Sequence, residues 1–348
     1  MPARRSRRDV YHCLRLACGL LVLHCPPAIA QSLSVTGRVS DTTGVVRQTS
    51  IGMYYQGELE FTDRLRATAG LRGDLYRFGV QSTKPENAGT ELAGLLSPKL
   101  GVVLAPSGGL ELYGNFGYGY HSNDGRGTTI SVDPLTGARV DTVTPLARTR
   151  GGEFGLRTIL IPKVQTTVAV WGLSLDSELV FVGDAGTTEP GRPSRRAGVE
   201  WTNSYTPRPW LLFEADLSWS SARFTDDASS GSSVPGAVRH VASFDASVSD
   251  YRRISAGLRL RYLGPRPLIE NATVASRRSF VGHIEVAYRV APRLRVLVDL
   301  LNVFDSKDSD IEYYYSSRLT GEPPEGIDNI HTHPVQPRTA RIGVQLDF

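Results

Sequence analysis

From residue 46 onward, apolar and polar residues alternate with a period of two in one segment after another. At the C-terminus, Ala340, Ile342, Val344, Leu346 and Phe348 fall on one side, with Thr339, Arg341, Gly343, Gln345 and Asp347 on the other. Leu110, Leu112, Phe116, Tyr118 and Tyr120 oppose Glu111, Tyr113 and Asn115. Leu211, Phe213, Ala215, Leu217 and Trp219 oppose Leu212, Glu214, Asp216 and Ser218, and Phe280, Ile284, Val286 and Tyr288 oppose His283, Glu285 and Arg289. Successive side chains of a strand point to opposite faces, so these segments read as strands with one apolar and one polar face. No continuous apolar run reaches the roughly 18 residues that a membrane-crossing helix needs.

Alternation alone fits a soluble sandwich as well as a barrel with lipid outside and water inside. Connection lengths separate the two. The sequence predicts strands over 33–41 (a weak one), 46–61, 65–80, 96–105, 110–121, 150–161, 164–182, 194–205, 210–222, 238–248, 252–263, 278–289, 294–304 and 338–348. Tight turns join some of them, as at Thr62-Asp63-Arg64, Pro106-Ser107-Gly108-Gly109, Pro162-Lys163 and Ala291-Pro292-Arg293. Long polar connections join the rest: 81–95, 122–149, 183–193, 223–237, 264–277 and 305–337. Short and long alternate strictly from residue 62 to the end. A sandwich has no reason to sort its loops by end, whereas outer-membrane barrels pair short periplasmic turns with long extracellular loops.

The expected fold is therefore all-β: an antiparallel transmembrane β-barrel of meander order with about 14 strands, set in a Gram-negative outer membrane. Leu346, Val344, Ile342, Leu217, Phe213, Leu112 and Phe116 are expected to face lipid. Arg341, Gln345, Glu214, Asp216 and Glu111 are expected to face the lumen, as are Glu285 and Asp299.

Residues 1–30 read as a signal peptide, with an Arg-rich start, an apolar stretch around Leu14 to Leu23, and Ala28-Ile29-Ala30 before Gln31. Its five arginines and one aspartate account for the whole formal charge of +4. The remaining chain carries no concentrated basic patch, so no nucleic-acid partner is expected. Cys13, Cys18 and Cys25, the 3 cysteines of the chain, all lie in this leader. The exported chain then has no disulfide framework and no thiolate metal site.

Three stretches resemble the C-terminal part of TonB-dependent outer-membrane receptors. Ser97-Pro98-Lys99-Leu100-Gly101 followed by Leu110-Glu111-Leu112-Tyr113-Gly114-Asn115-Phe116 is similar to a barrel hairpin of that family. Asp299-Leu300-Leu301-Asn302-Val303-Phe304-Asp305 is similar to its penultimate strand, and the run from Pro337 to Phe348 to its closing strand. The segment Gln48 to Tyr55 also looks like a family strand. The resemblance implies a receptor-like barrel region over 46–348, part of a nutrient or siderophore-type transporter with a wall of about 22 strands. It also implies a plug and an energy-coupling segment before the barrel. Residues 31–45, read as a short segment or the first weak strand, are too few for either. A truncated barrel without its plug is expected, and with it no engagement of the inner-membrane energy-coupling complex. Two alternatives stay open: a passive pore of about 14 strands and a non-functional gene fragment.

Outer-membrane lipid and the barrel-assembly machinery are the expected partners, Phe348 being the assembly signal that the resemblance implies. A small-molecule or metal-chelate ligand is expected at the extracellular loops, its identity unread. Weak candidates to touch it are His331, His333 and Tyr314 in loop 305–337. His331 and His333, with Asp328 nearby, could converge on a metal but read better as solvated loop histidines. Tyr313-Tyr314-Tyr315 could stack on a ligand or form part of an interfacial aromatic girdle, the girdle being preferred. Gly125 and Gly127 are followed by no Lys-Ser/Thr pair and no helical pattern, so they read as loop flexibility rather than a phosphate loop. No catalytic constellation, metal site or cofactor is expected; a barrel enzyme, a further reading, would need an outward-facing Ser/His/acid set, and the sequence marks none.

Overall fold

The computed structural model describes residues 33–38, 45–133, 137–177, 179–182, 187–227 and 229–347. The leader read over 1–30, its cysteines and the terminal Phe348 lie outside the described residues.

The chain forms β1 (Leu33–Arg38), β2 (Val45–Thr62), β3 (Leu65–Gln81), β4 (Gly89–Ser107) and β5 (Leu110–Ser122). After a short helix, α1 (Gly125–Thr129), come β6 (Leu146–Thr158) and β7 (Val164–Leu175). The small pair β8 (Leu179–Val182) and β9 (Thr187–Pro190) precedes β10 (Ser194–Arg208) and β11 (Leu211–Phe224). Then follow β12 (His240–Tyr251), β13 (Ile254–Leu263), β14 (Ser279–Ala291) and β15 (Leu294–Leu301). A second loop hairpin, β16 (Ser309–Ser317) and β17 (Ile327–Pro334), precedes β18 (Thr339–Leu346).

Fourteen strands make one antiparallel sheet in the order β1-β2-β3-β4-β5-β6-β7-β10-β11-β12-β13-β14-β15-β18. This is a pure meander, with β8–β9 and β16–β17 as separate two-stranded insertions. Among the described residues no ladder joins β1 to β18, so the sheet keeps two edges. No helix among them is long and apolar enough to cross a membrane.

Short turns gather at one end of the sheet and the long connections at the other, as the sequence predicts. Bulges sit beside five of the six short turns, between Glu60 and Thr62 and between Val248 and Tyr251 for example. Four non-glycine residues at the short-turn end take left-handed backbone: Lys163 (φ 67), Asp250 (φ 52), Arg252 (φ 51) and Arg253 (φ 74). Tight hairpin turns call for positive φ because their twist then matches that of the flanking strands.

Several boundaries differ from the sequence reading. β4 begins at Gly89 rather than residue 96, because Ala93 and Leu95 break the alternation while the ladder to β3 continues to Val80↔Gly89. β6 starts earlier, at Leu146, for the same reason: its ladder to β5 runs up to Ser122↔Leu146. β7 stops at Leu175, where the Asp176 amide turns back to the Arg148 carbonyl at 2.9 Å. Residues 179–182, read as its continuation, instead pair with 187–190. β15 ends at Leu301 because Asn302 takes φ 47. Loop 305–337 contains the β16–β17 hairpin, which alternation in Tyr313-Tyr314-Tyr315 could not announce.

The register sorts the side chains into two faces. Leu71↔Pro98, Leu75↔Gly94, Leu104↔Leu112, Trp201↔Leu217 and Val298↔Ile342 belong to one face. This face is apolar and open, with Leu75 64% and Ile342 79% exposed. Thr68↔Gly101, Glu111↔Arg157, Glu214↔Asp245, Asp299↔Arg341 and Arg295↔Gln345 belong to the other. Leu112, Phe116, Phe213, Leu217, Ile342, Val344 and Leu346 thus share the apolar face, and Glu111, Glu214, Asp216, Arg341 and Gln345 the polar one. An exposed apolar band of this size is unstable in water and is what a lipid-facing wall requires. Even the Trp201 indole is satisfied within the sheet, donating to Thr166 Oγ1 at 2.7 Å.

A small core forms at the long-loop end. Phe78 and Val80 are buried, and α1 lies against them. Asp124 caps that helix, accepting from the Arg126 amide at 2.9 Å. A Cβ on Gly125 would come within 2.8 Å of Val46 Cγ1, so this glycine serves close packing and not the loop flexibility that the sequence suggested.

Candidate functional site

The polar face is built from cross-strand rows. Glu214, Asp245, Arg259 and His283 follow one another from β11 to β14, and Glu285, Asp299 and Arg341 from β14 to β18. Six of these line a hollow of about 520 Å³, with Glu214, Asp245, Glu285 and Asp299 supplying four carboxylates beside Arg259 and His283. Arg259 Nε donates to Asp245 Oδ1 at 2.6 Å. The other three carboxylates make no ion pair among the described residues. Further round the wall, Glu111 lies between Arg66 at 3.4 Å and Arg157 at 3.6 Å, and Asn115 donates to Glu153 at 2.9 Å. Alternation marked Glu214, Asp216, Glu285 and Asp299, but not Asp245 or Arg259. Their parity within 238–248 and 252–263 carried the same signal.

Near the middle of β3, Arg72 bridges to Asp74 at 2.7 Å, and Asp74 is 3% exposed. Gly52 stands opposite Asp74 in the register, where any Cβ would collide with the carboxylate. Tyr76 and Tyr120 meet through their hydroxyls at 3.3 Å just above.

The long loops are tied to each other and to the wall. Arg192, before β10, donates to Asp226 at 2.9 Å, to the Gly231 carbonyl at 2.8 Å and to Glu270 at 2.8 Å. Its guanidinium also covers the Phe224 ring at 4.4 Å. One side chain thereby joins the connections before β10, after β11 and after β13. Hydrogen bonding from Arg192 holds the Asp226 carboxyl below the usual carboxylate range. At α1, burial raises the Asp124 pKa, but the Arg126 hydrogen bonds outweigh it and the net shift is downward. Sequence reasoning missed Arg192, whose partners lie 34 to 78 residues away along the chain.

The β16–β17 hairpin is anchored through Asp308, which accepts from the Phe280 amide at 2.6 Å, and Glu312, which accepts from the Arg277 amide at 3.0 Å. Asp310 pairs with Arg261 of the wall. Within the hairpin, Tyr313↔His331 and Ile311↔His333 share one face and Tyr314↔Ile330 the other. His331 and His333 are thus brought together while Tyr314 is placed on the opposite side. The Tyr315 ring stacks on His331 with centroids 3.8 Å apart. Asp328 pairs with Ser316 on the Tyr314 face, away from both histidines. Among the described residues no group of three or more His, Cys, Asp or Glu is placed to hold a metal ion.

Comparison with solved structures places this architecture. The ferric yersiniabactin uptake receptor FyuA from Yersinia pestis superposes with a TM-score of 0.68 at 16% identity, over 87% of this chain and 46% of that one. The closed form of the ferric-catecholate import receptor Fiu from E. coli K12 gives 0.68 at 17% identity, over 87% and 45%. The copper transporter OprC gives 0.68 at 17% identity, over 87% and 48%. The chain spans less than half the length of each. At these identities the likeness is one of fold. Comparison with curated proteins finds no match. The family model described as TonB dependent receptor-like, beta-barrel, matches residues 26–303, most of the chain, including the hairpin and strand motifs quoted above up to Val303. An alternating sheet of this length and order, with its loops sorted by end, is what that match describes, and the chain belongs to the TonB-dependent receptor-like β-barrel family.

Proposed function

We propose that this chain forms wall and loops of an outer-membrane uptake barrel and presents those loops to a metal chelate. One observation carries the reading. A continuous apolar face backs a face lined with carboxylates and guanidiniums, and every long connection lies at the same end of the sheet. Members of the family are outer-membrane proteins, receptors and transporters rather than enzymes. The three solved relatives are described as receptors or transporters for ferric chelates and copper.

The hairpin face bearing Tyr313, Tyr315, His331 and His333 suits a chelate that presents flat aromatic rings, since ring faces stack and imidazoles supply polar contact at the edge. Tyr314, on the other face, is left to the girdle role. The charged wall below offers a wet, mixed-sign path in place of a dry core. Export through a leader at 1–30 and recognition of Phe348 by the assembly machinery belong to the same proposal.

The test is fluorescence titration of the purified full chain with a ferric tris-catecholate chelate and, separately, with Cu²⁺. Saturable quenching that weakens when His331 and Tyr315 are replaced by Ala supports a loop-borne chelate site. Linear, non-saturating quenching identical in the variant would overturn it.

A further inference from the structure

The apolar face carries, at its long-loop end, arginines that a lipid-facing wall should avoid, and those on β6, β10 and β11 flank a hollow. At the long-loop end, Arg150↔Ser174, Ser174↔Arg195 and Arg195↔Arg223 are successive register partners across β6, β7, β10 and β11. The next row toward the short turns is Gly152, Gly172, Ala197 and Ser221, and the row after it includes Phe154, Val170 and Trp219. These last three are 63%, 55% and 52% exposed, which fixes this as the apolar face. Arg150, Arg195 and Arg223 are themselves exposed, and none makes an ion pair with a carboxylate among the described residues.

Arg195 and Arg223 stand directly opposite one another, an arrangement of like charges that disfavours the sheet unless an anion lies between them. Below them the row of small residues leaves a hollow of about 640 Å³, lined also by Phe116. A Cβ on Gly172 would find only one neighbour, a backbone oxygen at 4.0 Å. A cationic rim over an apolar trough, at the border where the apolar band ends, matches a lipid with a phosphate head and an acyl chain.

We propose that this patch is a binding site for a phosphorylated lipid of the surrounding leaflet. Its phosphate sits between Arg195 and Arg223, with Arg150 within reach of a second phosphate, and its acyl chain lies over Gly152 and Gly172. Guanidiniums bind phosphate oxygens through paired N–H donors, and in a low-dielectric setting such bonds strengthen. The inference rests on the apolar face meeting lipid, but not on any transported ligand. Its failure would therefore leave the chelate reading untouched.

The experiment is native mass spectrometry of the full chain in a neutral detergent, titrated with phosphatidic acid or with phosphatidylcholine of the same chain length. Phosphatidic acid should bind saturably and the zwitterionic lipid only weakly. Replacing both arginines, Arg195→Gln with Arg223→Gln, should weaken phosphatidic acid binding roughly 30-fold. Gly172→Leu fills the trough with every arginine intact and should also weaken binding; it decides the matter if the double variant fails to fold. Inorganic phosphate at millimolar concentration should not displace the lipid. Equal binding of the two lipids, affinity unchanged in the folded variants, or full displacement by phosphate would each overturn the site.

Discussion

Asn302 donates its side-chain amide to the carbonyl of Gln336 at 3.0 Å, clasping the two ends of the connection that carries the β16–β17 hairpin. The same amide group donates to the Ser306 carbonyl at 2.9 Å, and its oxygen accepts from the Ser306 amide at 3.0 Å. Asn302 is 1% exposed and sits at φ 47, a left-handed position that asparagine tolerates better than most residues. Residues 302–305, which resemble a family motif, thus have a local physical reason: a turn residue that also closes a long loop. Asn302→Ala removes the partners of the Gln336 carbonyl and of the half-buried Ser306 carbonyl and amide, three hydrogen bonds that contribute about 0.5–1.5 kcal/mol each. The expected result is a lower melting temperature and faster proteolysis between Ser317 and Ile327, with the sheet signal in circular dichroism retained.

Arg192 performs a similar task with charge. Arg192→Ala is expected to release three connections together, so proteolytic sites should appear near both Asp226 and Glu270. A loop-by-loop loosening, with only one site appearing, would contradict the hub.

The same hub sets an acid limit. Asp226 has its pKa lowered in the folded chain, so its contribution is present above the unfolded aspartate value. It is lost as pH falls through the lowered value. Loop protection, measured by hydrogen exchange over 225–239, should therefore be flat near neutrality and fall only in strong acid. Arg192→Ala should abolish that acid step.

Much of this sheet was legible because the period of a strand is two and a one-residue slip would carry Leu217 or Ile342 to the wrong face. Alternation lacked force where both faces are apolar, as at Ala93 and Leu95 in β4, so the ladder extended beyond the expected start. The loop hairpins were hidden for another reason. β16 and β17 are joined through Asp308, Asp310 and Glu312 to residues about 30 to 50 positions away, and no local pattern encodes such contacts. The candidate site suffered most. Spacing singled out His331, His333 and Tyr314, yet only the pairing register could show that Tyr314 turns from the two histidines while Tyr315 stacks on one of them.

Leu217 and Asp216 offer a direct comparison of the two faces. Leu217→Arg places charge among Trp201 and Trp219 on the apolar face and is expected to cost about 2–4 kcal/mol if the position lies near the midplane. Asp216→Asn keeps an acceptor for the Ser243 hydroxyl, now 3.1 Å away, and should change stability by less than about 0.5 kcal/mol. Folding into vesicles, followed by the heat-dependent shift in gel mobility, separates the two outcomes. Equal tolerance of both would remove the basis for a lipid-facing side.

Gly52 tests whether the buried carboxylate of Asp74 dictates its neighbour. Asp74 is bonded to Arg72 through both oxygens, at 2.7 and 2.8 Å, and is nearly inaccessible, so the pair cannot move aside without losing hydrogen bonds. A methyl group at position 52 would collide with the carboxylate and approach Arg72 Nη2 to 2.8 Å. Gly52→Ala should therefore destabilise the sheet by about 1–3 kcal/mol, the range for overpacking a filled site. Glycine in a strand interior is otherwise unfavourable, so removing the ion pair should reverse the preference. In a background carrying Arg72→Ala and Asp74→Ala, the same Gly52→Ala change is expected to be neutral or stabilising. The double-mutant cycle isolates the collision from the general cost of altering a strand. An identical penalty in both backgrounds would show that Gly52 is held by something other than the Arg72–Asp74 pair.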